Sequence, residues 1–409
     1  MNDLLKAARD MEQEIIADRR KIHQQPEIGF DLSQTAEYVK NRLREMEIEP
    51  QDCGGPIPRD VRDKFIFAGF PDMEKSTGVT ATIGNGGPCI LLRADMDALP
   101  MEETTGLPFA SQNGRGHMCG HDSHTAMLLG AARLLKEREG ELAGTVKLMF
   151  QTGEECGCGS KLMIDAGVLE NPRVDAALAI HVMADQEAGR ARYSRGITSA
   201  AMDSFMVKIQ GKGAHTSQPQ NGIDPLMIAN QLYTALNLLA GREVDPRETV
   251  ALSVGKFGGG NAINVIPDTA EVMLAARTFN RDVRAHIIKR IPEIIDHTVK
   301  MWRGTYQLSV FATPSTFNDD SLCDKLAPFV GEIIGEENLC EAPSMAGTED
   351  FGYVSEQVPG MFLCLGAGKP GAYPMHNPNM TLDESVFAQG SAILANCAIQ
   401  WLKAETLTA

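Results

Sequence analysis

Basic charge is scarce in this sequence. Lys and Arg number 38 against 54 Asp and Glu, a formal net charge of −16. Nucleic acid is therefore excluded as a partner, since its phosphates require a basic face. Long apolar runs are missing too, and no stretch approaches the ~20 residues that span a bilayer. The opening Met1-Asn2-Asp3-Leu4-Leu5-Lys6 has no basic segment followed by an apolar run, so neither a secretory leader nor a membrane is expected. Regularly spaced cysteines are absent as well. The nine present are odd in number and scattered, which argues against a disulfide framework and fits a reducing cytoplasm. Thiols left reduced are available as metal ligands.

What remains is a globular chain, 43% hydrophobic and 22% charged over 409 residues. At roughly 100–200 residues per domain, that length suggests about two domains. Leu4, Leu5, Ala8, Met11, Ile15 and Ile16 recur at helical spacing, and Pro26 ends that region. A second helix is expected over 33–48 with Ser33 as its N-cap. Residues 53–77, rich in Gly and Pro, read as a long irregular segment.

From residue 78, apolar strands at 88–94, 145–151 and 176–182 alternate with helix, notably 126–136. Continuous apolar strands of this kind belong to an α/β sheet covered on both faces. The middle of the chain changes order. Strand 204–210, helix 224–240, strands 249–257 and 269–279, helix 282–301 and strand 306–311 give β-α-β-β-α-β, the ferredoxin-like arrangement. A strand at 361–365 and a terminal helix from 384 to about 404 then restore the α/β style. The expectation is a discontinuous domain, 1–192 and 312–409, interrupted by a smaller one at 193–311.

Chemistry concentrates in His117-Met118-Cys119-Gly120-His121-Asp122-Ser123-His124. Thiolate and neutral imidazole suit zinc-like ions, and such a density has few other uses besides nucleophilic catalysis. Asp95 and Asp97 follow an apolar strand and would share a face if that strand continued through them. Glu154 and Glu155 close another strand. Two adjacent buried carboxylates need a cation; one can ligate it while the other takes a proton from water. His181 ends a further strand and His376 lies beyond the 361–365 strand. Strand ends at 94, 151, 182 and 365 would open on one edge of a parallel sheet.

With these motifs in register, the sequence resembles the metal-dependent amidohydrolases and carboxypeptidases of the aminoacylase, hippurate hydrolase and indole-acetyl-amino-acid hydrolase group. The likeness runs through nearly the whole chain, from His23-Gln24-Gln25-Pro26-Glu27 through Gly211–Pro225, Asn264–Asp268 and Gly347–Phe351 to His376-Asn377-Pro378. The resemblance implies two divalent transition-metal ions per subunit, manganese or zinc foremost, with cobalt and nickel as further candidates. It implies Cys119 as a bridging ligand, His121, Glu155, His181 and His376 as the other ligands, and Glu154 as general base. Asp97 would orient a ligand or support the base. His215 and Asn264 would meet substrate from the inserted lid, which in the family also forms a homodimer or larger assembly.

The expected reaction is hydrolysis of the amide bond of a small N-acyl or N-aroyl amino acid. Two other readings stand beside it: hydrolytic cleavage of another C–N bond, in an aromatic amine or hydrazide, and a non-catalytic metal-binding scaffold. This chain departs from the group's pattern in three places. Gln151-Thr152-Gly153-Glu154-Glu155 stands where members often read Gln-Pro-Ala-Glu-Glu, Gln220 replaces a second lid histidine, and residues 55–76 are longer than usual.

Overall fold

Apolar strands buried on both faces build the centre of the molecule. The computed structural model describes residues 2–67 and 71–408. An eight-stranded mixed sheet carries four neighbouring parallel strands, Thr145–Gln151, Cys89–Asp95, Ala176–Glu187 and Gly360–Gly368, in that spatial order. Every residue of Cys89–Asp95 and Thr145–Gln151 is buried. Alternate side chains serve opposite faces. Ile90, Leu92 and Ala94 pack into the larger core beneath helices His121–Lys136 and Phe387–Thr408, while Cys89 and Leu91 join a second cluster with Met163, Phe351 and Phe362.

A separate four-stranded antiparallel sheet has its own core. Its spatial order is Val250–Gly258, Thr269–Thr278, Ala201–Gln210, Thr305–Thr313, and helices Pro225–Glu243 and Arg281–Met301 pack on it through Leu232, Leu236, Ile287 and Ile291. No helix among the described residues is long and apolar enough to cross a membrane.

Three local expectations need correction. The opening amphipathic pattern divides into helices Asp3–Asp10 and Glu12–His23, broken at Met11. Ser33 is not an N-cap: it begins helix Ser33–Glu45, Leu32 holds the cap position, and the Ser33 hydroxyl is bonded to Asp31 instead. The 53–77 segment is not irregular throughout, although its residues 68–70 lie outside the described residues. It contains helix Arg59–Phe67 and a short ladder, Gly55–Pro56 against Lys75–Ser76. Phe65 of that helix packs edge-on against Phe30 and Phe311, which anchors the segment over the loop that carries Cys156 and Cys158.

A candidate metal centre at the strand ends

The carboxyl ends of the four parallel strands deliver the site. Asp95 pairs in register with Gln151, and His181 with Cys364, so residues just past these positions converge on one edge. Cys119 and Gly120 precede the helix that begins at His121, and Gly120 takes the left-handed conformation (φ 86°) with no room for a side chain beside Val182.

Two triads share Cys119. One holds Cys119, His121 and His181; the other holds Cys119, Glu155 and His376. The Cys119 Sγ lies 3.6 Å from His181 Nε2 and 3.3 Å from His376 Nε2, which is itself 3.4 Å from Glu155 Oε1. Their outer contacts fix the rings: His121 Nδ1 sits 2.9 Å from the Asp97 carbonyl, and His181 Nδ1 lies 2.7 Å from that of Val182. Both Nε2 atoms are thereby turned inward, the orientation that metal-ligating histidines need. His376 holds a left-handed backbone (φ 60°), strain of the kind found at functional positions.

Divalent ions fit this donor set. His121 Nε2 is buried without a hydrogen-bond partner, a condition costing roughly 1–3 kcal/mol that a cation would relieve. Burial holds the His181 imidazole down to about 4, in the neutral form that ligation requires.

Of the three clustered histidines, His121 alone belongs to the triads with Cys119. His124 has both nitrogens engaged, Nδ1 at 2.6 Å from Asp95 and Nε2 accepting the Val182 N–H at 2.9 Å. His117 is buried beside His23, apart from the triads.

Asp97 organises the two glutamates. Its two oxygens accept the consecutive N–H groups of Glu154 and Glu155, each at 3.1 Å, so both glutamates are positioned by one carboxylate. Gly153 permits the turn: it has φ +66°, and an added Cβ would lie 2.3 Å from the Phe30 ring. Burial, with Glu349 and Glu155 nearby, pushes the Glu154 carboxyl well above the ordinary range. The strand stops at Asp95, so Asp95 and Asp97 are not successive residues of one strand face. Asp95 instead faces His124 and, at 2.7 Å, Arg93.

A cavity of about 380 Å³ opens on Cys119, Glu154, Glu155, His181 and His376. Motif reading left Glu349, Asp350, Arg93 and Arg277 without a role. Glu349 lines the cavity and, with Asp350, is held by buried Arg93 at 2.8 and 3.1 Å. Arg277 reaches in from the four-stranded sheet, its Nη1 donating to Thr348 Oγ1 at 2.6 Å and the Ala346 carbonyl at 3.3 Å. An arginine buried within an otherwise apolar strand was the available signal for the first group, since it demands carboxylate partners. His215 and Asn264 are adjacent to each other, with the Thr216 N–H donating to the Asn264 carbonyl, but both are exposed and lie outside this cavity lining.

Comparison with known proteins gives the family of the chain. The family model described as peptidase family M20/M25/M40 matches residues 91–400. An N-acetyl-L-cysteine deacetylase of Bacillus subtilis (strain 168) is 36% identical over 391 residues, covering 95% of this chain and 88% of that protein. The IAA-amino acid hydrolase ILR1-like 4 of Arabidopsis thaliana is 36% identical over 406 residues, covering 96% and 87%. A Bacillus subtilis crystal structure, titled a dinuclear metal binding peptidase from the M20 family, superposes with a TM-score of 0.75 at 30% identity, covering 97% and 99%. Fold, site and relatives define a metal-dependent hydrolase acting on C–N bonds. The chain belongs to peptidase family M20/M25/M40.

Proposed function

We propose that this enzyme hydrolyses the amide bond of a small N-acyl or N-aroyl amino acid, with Glu154 as general base. The observation that carries the reading is the pair of triads sharing Cys119, with the Glu154 carboxylate beside them at the cavity wall. Cys119, His121, Glu155, His181 and His376 would hold two divalent ions, with Cys119 between them. When bound, such ions polarise a carbonyl and lower the pKa of water. Glu154, fixed by Asp97, accepts the water's proton and later delivers it to the departing amine. Arg277 offers a planar fork to the amino acid's carboxylate. The deacetylase and hydrolase named above support this substrate class.

We read residues 193–311 as an inserted lid of ferredoxin-like order, supported by its β-α-β-β-α-β sequence of elements and separate core. The edge strand Val250–Gly258 pairs on one side only, and Phe257, Tyr233 and Leu238 beside it are about half exposed. Such an edge invites a second copy. In that dimer, His215 and Asn264 would approach the partner's cavity. Sedimentation should then give a dimer for the native chain and a monomer for a Leu238→Lys/Phe257→Lys variant; a native monomer would refute the assembly.

The function is tested by stripping metal and restoring Mn(II), Zn(II) or Co(II) with a panel of N-acyl amino acids, hippurate and aryl amines, products being identified by mass. Metal-dependent release of an amino acid is expected. Ammonia from an aryl amine, with no amino acid from any amide, would overturn the assignment.

A further inference from the structure

Four methionines and a phenylalanine supply the large apolar side chains of the cavity wall, and they come from separate segments of the chain. Met183 stands two residues beyond His181 on strand Ala176–Glu187, so both side chains leave the same face. Met375 directly precedes His376, and its sulfur accepts the Ala184 N–H at 3.4 Å. Met345 sits in the loop before Gly347, its sulfur 3.6 Å from Cys364 Sγ. Met202 projects from the second sheet, opposite Arg277 in the strand register. Phe362, buried behind them, places its ring 6.0 Å from that of His181.

The four thioethers are half-buried; Met183 and Met345 pack against the cluster that holds Met163, Phe351, Phe362 and Cys364, and Met375 packs against the larger core. A methionine used only to fill a core gap would be enclosed. These four face open space next to the candidate ligands. Thioethers are flexible, polarizable and favourable at aromatic edges, but donate no hydrogen bond. The hydrogen-bonding groups of the cavity include Arg277, the cross-strand neighbour of Met202, and the glutamates and histidines of the site.

We infer that Met183, Met202, Met345 and Met375 set specificity, selecting a substrate with one carboxylate and one bulky apolar group, an aromatic ring or long chain, over small acetyl amides. This rests on the amide-hydrolase reading and narrows its substrate class. The apolar group can belong to the acyl half or to the amino acid's side chain; the chemistry recognised is the same. A hydrophobic contact discriminates by roughly 10–200-fold per methylene-sized difference, so a preference on the order of 100-fold in kcat/KM is expected.

Two measurements test it. In the first, zinc-loaded protein labelled at the methionine methyl carbons is titrated with phenylacetate and, separately, with acetate. The four methyl resonances are assigned through single Met→Leu variants. Ring-current shifts of all four with phenylacetate, and none with acetate, are expected. In the second, kcat/KM is compared for N-phenylacetylglycine, N-acetylphenylalanine and N-acetylglycine. One of the bulky substrates should exceed N-acetylglycine by about 100-fold, and which one identifies the half that meets the wall. Met202→Gln, similar in shape but polar, should reduce that ratio about tenfold. Stationary methyl resonances, or N-acetylglycine cleaved as well as both others, would overturn the inference. Shifted methyls with no amide cleaved would instead overturn the amide-hydrolase reading and leave the apolar wall standing.

Discussion

Glu154→Ala should lower kcat by about 10²–10⁴-fold, the usual contribution of a positioned general base, while two metals per chain remain bound. The separation follows from geometry. Glu155 belongs to one of the two triads that share Cys119, whereas Glu154 is in neither, although it also comes together with His121 and Glu155. The Glu154 Oε2 stands 3.8 Å from His121 Nε2, close enough to the ligand cluster to exchange a proton with water held there. Because Asp97 grips the backbone N–H rather than the carboxylate, truncating the Glu154 side chain leaves the loop and Glu155 in place. Glu155→Ala should behave differently and lose metal. Metal content by plasma emission and turnover by product mass distinguish the cases. Turnover above a tenth of wild type in Glu154→Ala would assign the base elsewhere, with Glu349 the next carboxylate at the cavity.

The second large effect is on stability. Arg93→Met should destabilise the fold by about 3–5 kcal/mol, the cost of breaking a buried ion pair by removing one partner. Arg93 is 2% exposed, and its guanidinium contacts Asp95, Glu349 and Asp350, while its Nε donates to Gln151. Even with that cation present, burial raises the Asp350 carboxyl to about 7. Without it, three buried carboxylates would have to find protons or water. Methionine restores volume but no charge. Lysine restores charge but not the fork that reaches several acceptors at once, so Arg93→Lys should recover only part of the loss. A drop in Tm of roughly 5 °C is expected for Arg93→Met. A change below about 1 kcal/mol would mean the cluster is already uncharged.

The sequence revealed the strands and the densest ligand motif because those signals are local. An apolar run such as Ile90-Leu91-Leu92 and a stretch holding Cys119 and His121 can be recognised without knowing what they touch. Arg93 illustrates what local reading loses. It stands in the same apolar run, and its meaning depends on Glu349 and Asp350, more than 250 positions away. Helix Arg59–Phe67 was hidden for another reason. It buries Phe65 alone, so the periodicity that reveals helices was too sparse to show among flanking prolines. The Ser33 cap failed because the helix already includes Ser33 and the Glu27 carboxylate accepts the N–H groups of Gln34 and Thr35 in its first turn. Arg277 and Met202 were out of reach because they meet the cavity through cross-strand register, which composition does not encode.

That register also separates two kinds of change. The candidate ligands and Glu154 stand on or beside the large sheet, whereas Met202 and Arg277 are borne by the smaller one. Substitutions at Met202 and Arg277 are therefore expected to alter which substrate is accepted while leaving the candidate ligands and Glu154 in place. Met202 and Arg277 can thus change independently of the candidate ligands, whereas Met183 and Met375 are tied to the strand and turn that carry His181 and His376.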